Sequence, residues 1–165
     1  MKSVLLPVLL AIVFNSCNKY EDGPAVSLRS AEKRLTGKWE VTDILFDEKN
    51  ISTGFFSSHL ELYPFSIYSD WGGDYFISIS HTDGNLIANS DLILNEKKDK
   101  ITFAMLPLAP YESISTDIFC TVPVLSKSTE WKILRLKNDE LWISTDFSAG
   151  NYELHFKLLA DYTDY

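Results

Sequence analysis

The sequence predicts an all-β fold, an antiparallel up-and-down β-barrel with a short N-terminal helix, with a β-sandwich as the alternative. Three observations carry this expectation. In the last third, Leu141, Ile143 and Thr145 alternate with Glu140, Trp142 and Ser144, and Tyr152, Leu154, Phe156 and Leu158 alternate with Glu153, His155 and Lys157. A period of two, apolar on one side and polar on the other, is the pattern of antiparallel strands with one wet face. About eight or nine short apolar runs recur every ~8–12 residues, which suits a sandwich or a barrel. The connections, Asp83-Gly84 and Asn138-Asp139 among them, are short turn sequences, and short hairpins favour the up-and-down order.

Taken in order, residues 1–16 read as a signal peptide. Lys2 is a positive n-region, Val4 to Phe14 is an uncharged apolar run, and Asn15-Ser16 lead to Cys17. The run is shorter than the ~20 apolar residues of a membrane-spanning helix. Residues 17–26 read as a flexible tether, because Gly23-Pro24 break any helix there. The barrel domain then covers 27–165. It opens on a helix from Ser27, the expected N-cap, to Leu35, with Leu28, Ala31 and Leu35 on one face and Gly37 ending it. Trp39 and Val41, then after a shift of phase Ile44 and Phe46, make the first strand, and residues 47–50 its turn. Strands are expected at His59 to Tyr63 and Tyr75 to Ser80, around a loop over 69–74. Others follow at Leu86 to Leu94, Ile101 to Leu106, Thr116 to Val122 and Trp131 to Leu136, with 96–100 as a solvated turn. Pro64, Pro107, Pro110 and Pro123 mark edges and loops rather than central strands.

Two stretches resemble known families. Phe14-Asn15-Ser16-Cys17 resembles the lipobox of bacterial lipoproteins. That resemblance implies acylation of Cys17 and a protein anchored in the cell envelope, most readily the outer membrane, facing either the periplasm or the surface. Two or more acyl signals anchor stably where one does not. Lys19, Glu21 and Asp22 resemble the acidic cluster behind the Cys of surface-exposed lipoproteins, and equally a solvated linker. Leu35-Thr36-Gly37-Lys38-Trp39-Glu40-Val41 looks like the G-x-W start of the lipocalin and fatty-acid-binding superfamily. With the lipobox, the Glu140-Leu141-Trp142 hairpin and the Tyr152-to-Lys157 strand, the chain resembles the lipocalin-like lipoproteins of Bacteroidota. The resemblance implies that Gly37 and Trp39 close one barrel end and that an apolar ligand occupies the cavity. Two features depart from it. Thr163-Asp164-Tyr165 matches the family's T-D-Y motif but ends the chain, and the family's later Arg has no better counterpart than Arg135.

Composition excludes other classes. The net charge is −8, and loss of Lys2 with the signal would make the chain more acidic, so nucleic acid is not a partner. With Cys17 acylated only Cys120 remains, in the apolar run Ile118 to Val122, and no intramolecular disulfide can form. No nucleophile elbow, phosphate loop, H-E-x-x-H or C-x-x-C is present. His59, His81 and His155 stand far apart, and Asp70, Asp74 and Asp83 lack the EF-hand pattern. The sequence therefore predicts no cofactor, no metal and no catalysis.

Two functions remain. In the first, the barrel binds a small apolar or amphipathic ligand among inward aromatics, expected to be Trp39, Phe76, Phe103, Trp131 and Phe156. In the second, the barrel is filled and its surface contacts another envelope protein or a glycan. Trp71, between Asp70 and Gly72-Gly73-Asp74, either stands exposed for such a contact or folds back to cap the barrel mouth.

Overall fold

The computed structural model describes residues 29–52, 64–69, 75–80, 86–107 and 122–160. The helix, α1, is Ala31–Leu35. Its N-cap is Ser30, whose side-chain oxygen accepts from the Lys33 backbone N–H at 3.2 Å, satisfying one of the unpaired donors of a first turn. The expected cap, Ser27, lies outside the described residues. Gly37 does not end the helix: Thr36 is already extended, and Gly37 opens the first strand.

Among the described residues ten strands follow: β1 (Gly37–Phe46), β2 (Lys49–Asn50), β3 (Pro64–Ser69), β4 (Tyr75–Ser80), β5 (Leu86–Leu94), β6 (Lys100–Phe103), β7 (Leu106–Pro107), β8 (Thr129–Leu136), β9 (Glu140–Phe147) and β10 (Gly150–Ala160). β1, β3, β4, β5, β6, β8, β9 and β10 pair in that order, each antiparallel to the next, and β10 returns to pair with β1. The sheet is a closed up-and-down barrel, which removes the free edges that two stacked sheets would keep. β2 extends the β1 hairpin, and β7 pairs beside β5.

One expected boundary changes, and two expected strands lie wholly or largely outside the described residues. The strand expected at 59–63 falls outside the described residues, and β3, which was not expected, has Pro64 at its first position. There the missing N–H does not interrupt a ladder. The strand expected over 101–106 divides into β6 and the two-residue β7. Of the strand expected at 116–122 only Val122 is described, and it leads into a 3₁₀ turn, Pro123–Ser126, with proline at its start.

Alternation builds the core. In β9 the buried positions are Leu141, Ile143 and Thr145, and in β10 they are Tyr152, Leu154 and Phe156. The phase shift in β1 is a β-bulge. Val41 pairs with Phe156 and Asp43 with His155, so Thr42 is the extra residue and Ile44 turns inward again. A second bulge lies in β8, where Ile133 pairs with Ile143 and Arg135 with Trp142, leaving Leu134 without a partner. The β1–β2 turn uses Asp47 and Glu48 at φ of 46° and 65°, the left-handed pair that a two-residue hairpin of this twist demands. Asp47 is held there twice: its N–H donates to Asn151 O at 2.9 Å, and its Oδ1 accepts from the Asn151 N–H at 2.8 Å.

Candidate functional site

One end of the barrel is closed by α1. The Trp39 indole N–H donates to Leu35 O at 2.9 Å, tying the last residue of the helix to β1. Arg34 is buried, and its Nη1 donates to Leu136 O at the end of β8. Glu32 forms an ion pair with Lys98 in the β5–β6 turn. That contact, reinforced by a backbone hydrogen bond, holds the Glu32 carboxyl below its ordinary 4.5. Gly37 sits under β10: a Cβ there would lie well inside contact distance of Leu158 Cδ1 and 3.0 Å from Ala160 O. The helix therefore latches onto the barrel through a basic residue of its own, Arg34. Arg135 is on the outer face of β8.

The five aromatics expected inside separate. Trp39 and Trp131 are 0% exposed, Phe103 2% and Phe156 3%. Phe103 and Trp131 stack with centroids 5.7 Å apart and planes 1° from parallel. A side chain at 0% exposure lines no space large enough for a water molecule. The Trp131 indole nitrogen has no hydrogen-bond partner among the described residues. Phe76 is elsewhere. It pairs with Asp91 across β4–β5, on the face of β4 opposite the buried Ile77 and Ile79, and is half-buried. Sequence could not separate the two faces of β4, because both begin with an aromatic, Tyr75 and Phe76.

A concave feature on the outside runs over β9, β10 and β1. It is a groove of about 340 Å³ lined by Thr42, Asp43, Asp139, Glu140, Trp142, His155, Phe156 and Lys157. Its wall is a cross-strand row in register, from Arg135 through Trp142 and His155 to Asp43. The Trp142 and His155 rings stack at 4.1 Å and 12°. The Arg135 guanidinium lies 3.6 Å from the Trp142 centroid, within cation–π range. Neighbours on β8 and β10 thus flank the indole from both sides. The His155 ring meets carboxylates at both nitrogens, Glu153 Oε1 at 2.6 Å from Nε2 and Asp43 Oδ2 at 3.8 Å from Nδ1. Asp43 Oδ1 accepts from Asn50 Nδ2 at 2.7 Å. Glu140 is held by Lys137 at 3.0 Å and Arg135 at 2.9 Å, and both depress its carboxyl below the ordinary 4.5. The sequence signal for this site was Trp142 itself, a large aromatic on the polar side of an alternating strand.

Cys17, Trp71, Cys120, His59, His81 and the loop aspartates Asp70, Asp74 and Asp83 lie outside the described residues. Among the described residues, no helix is long and apolar enough to cross a membrane. No group of three or more His, Cys, Asp or Glu side chains is disposed there to hold a metal ion.

No family model matches the chain, and no curated protein matches it. Two solved structures with a similar architecture are both β-barrels. One is a de novo designed fluorescence-activating β-barrel, 10% identical, with a TM-score of 0.42 over 79% of this chain and 99% of that one. The other is a redesigned β-barrel, also 10% identical, with a TM-score of 0.39 over 81% of this chain and 97% of that one.

Proposed function

We propose that this protein is a non-catalytic binding module of a bacterial envelope, held at the membrane by an acylated Cys17. Its barrel core is packed, and its partner or ligand is met on the outside. The observation that carries the reading is the burial of the inward aromatics: Trp39, Trp131, Phe103 and Phe156 are between 0% and 3% exposed, so these side chains are packed against protein rather than open space. A barrel of eight strands has an interior just wide enough for that. The lipobox-like Phe14-Asn15-Ser16-Cys17 supports the anchor. The binding rather than catalytic reading is supported by a sequence without a nucleophile elbow, phosphate loop, H-E-x-x-H or C-x-x-C.

One observation favours the other reading, an enclosed apolar or amphipathic ligand. The Trp131 N–H is buried without a partner among the described residues, and buried donors normally find an acceptor, which a ligand's carbonyl or hydroxyl would supply. Native mass spectrometry of the full-length protein, released from its own membranes in mild detergent, separates the two. A bare polypeptide mass with its acyl groups supports the packed module. A further discrete mass that leaves on denaturation would overturn it in favour of the enclosed ligand.

A further inference from the structure

We propose that the outer groove over β9, β10 and β1 is a saccharide-binding site, a reading that rests on the packed-barrel proposal because it moves recognition to the outer face. Two of the four register shifts among the described strands support it. They fall on β1 and β8, the strands flanking β9 and β10, and each releases one residue from the ladder, Thr42 and Leu134. Bulges of this kind re-aim side chains beside sites. The groove's size, about 340 Å³, is at the small end of ligand pockets, roughly 300–1,000 Å³, and so suits one or two sugar rings.

Its chemistry narrows the class. Lys157 is exposed and makes no ion pair among the described residues, and it shares the opening with the carboxylates of Asp43 and Asp139. Vicinal hydroxyls donate to carboxylates and accept from an ammonium, so a polyol satisfies both kinds of group at once. A phosphate would face Asp43, Asp139 and Glu140 together, and a hydrocarbon would strip water from those charges without replacing it. The wall is already ordered by the Arg135–Trp142–His155 stack, so little side-chain freedom is lost on binding. Because both indole faces are taken, the sugar meets the edge of Trp142 rather than stacking on it.

The test is calorimetric titration of the detergent-solubilised full-length protein with maltose, cellobiose and N,N′-diacetylchitobiose. At least one disaccharide should bind. Asp43→Asn and Lys157→Met should each weaken it about tenfold, the loss expected for one hydrogen bond to a charged group. Leu159→Ala, an exposed change on the same strand, should leave it unchanged. Hydrogen exchange should slow on binding in the segments over 42–43 and 155–157. The proposal is overturned if no disaccharide binds, or if binding survives both groove variants. Heat from a lysine-rich peptide and none from the sugars would reassign the groove to a protein partner. Native mass spectrometry of the same sample judges the packed core separately, so the two proposals fail by different readings.

Discussion

Phe103→Ala addresses the packed core directly. The Phe103 ring is 2% exposed and lies face to face with Trp131 at 5.7 Å. Losing a buried phenyl group forfeits roughly 2 kcal/mol of transfer free energy. If the surrounding barrel does not collapse, a void of about 100 Å³ at about 24 cal/mol per Å³ contributes roughly as much again. The expected loss is therefore about 4 kcal/mol, inside the ~3–5 kcal/mol range for Phe→Ala in cores. With a urea slope of about 2 kcal/mol per molar, the midpoint should fall by about 2 M with the slope unchanged. Far-UV circular dichroism is the suitable probe, since removing the ring alters Trp131 fluorescence for reasons unrelated to stability. A loss under about 1 kcal/mol at constant slope would refute the argument, because only a side chain bordering pre-existing space is removed so cheaply.

Gly37→Ala should destabilise by about 1–3 kcal/mol through overpacking against Leu158 and Ala160 O, and Leu158→Ala in the same chain should recover part of it in thermal melts. Trp39→Phe keeps an aromatic ring but loses the bond to Leu35 O and the volume of the fused five-membered ring, so it should cost about 2–3 kcal/mol by urea unfolding. Cys17→Ser should move the protein out of the carbonate-washed membrane fraction, and a variant that still sediments there would contradict the lipobox reading. The carboxyls of Glu32 and Glu140 are held below their ordinary 4.5, Glu32 first by Lys98 and Glu140 first by Lys137. Their contribution is therefore complete above that value and lost as pH falls through their folded-state values. Melting temperatures recorded from about pH 6 to about pH 3 should drop less steeply in Glu32→Gln than in the parent.

Much of the barrel was legible because local pattern and global pairing agree. The alternation of Leu141-Ile143-Thr145 and Tyr152-Leu154-Phe156 is one-sided, so only one face could be the core. Even the β1 bulge was visible, since an apolar phase running Trp39, Val41, Ile44 skips once at Thr42. β3 was not anticipated at Pro64–Ser69 because Pro64 reads as a break, whereas the strand is fixed by pairing to β1 and β4. Apart from Trp142, the groove had no local signature. Asp43 and His155 meet only through the β1–β10 register, more than a hundred residues apart in the chain.

That register also governs the order of events in folding. β1 finds its second neighbour only in β10, the last strand of the barrel, from Lys38 against Ala160 to Phe46 against Tyr152. Contacts of such separation form late and slow the reaction, because the whole intervening chain must be ordered first. A chain emerging N-terminus first exposes β1, with Trp39 and Val41 on it, throughout the delivery of everything up to β10. Until then the edge of β1 is open to pairing with any strand at hand, a second copy included. Yield at high expression should thus depend on how long β1 waits, and a circular permutant that makes β10 and β1 consecutive should fold faster without being more stable.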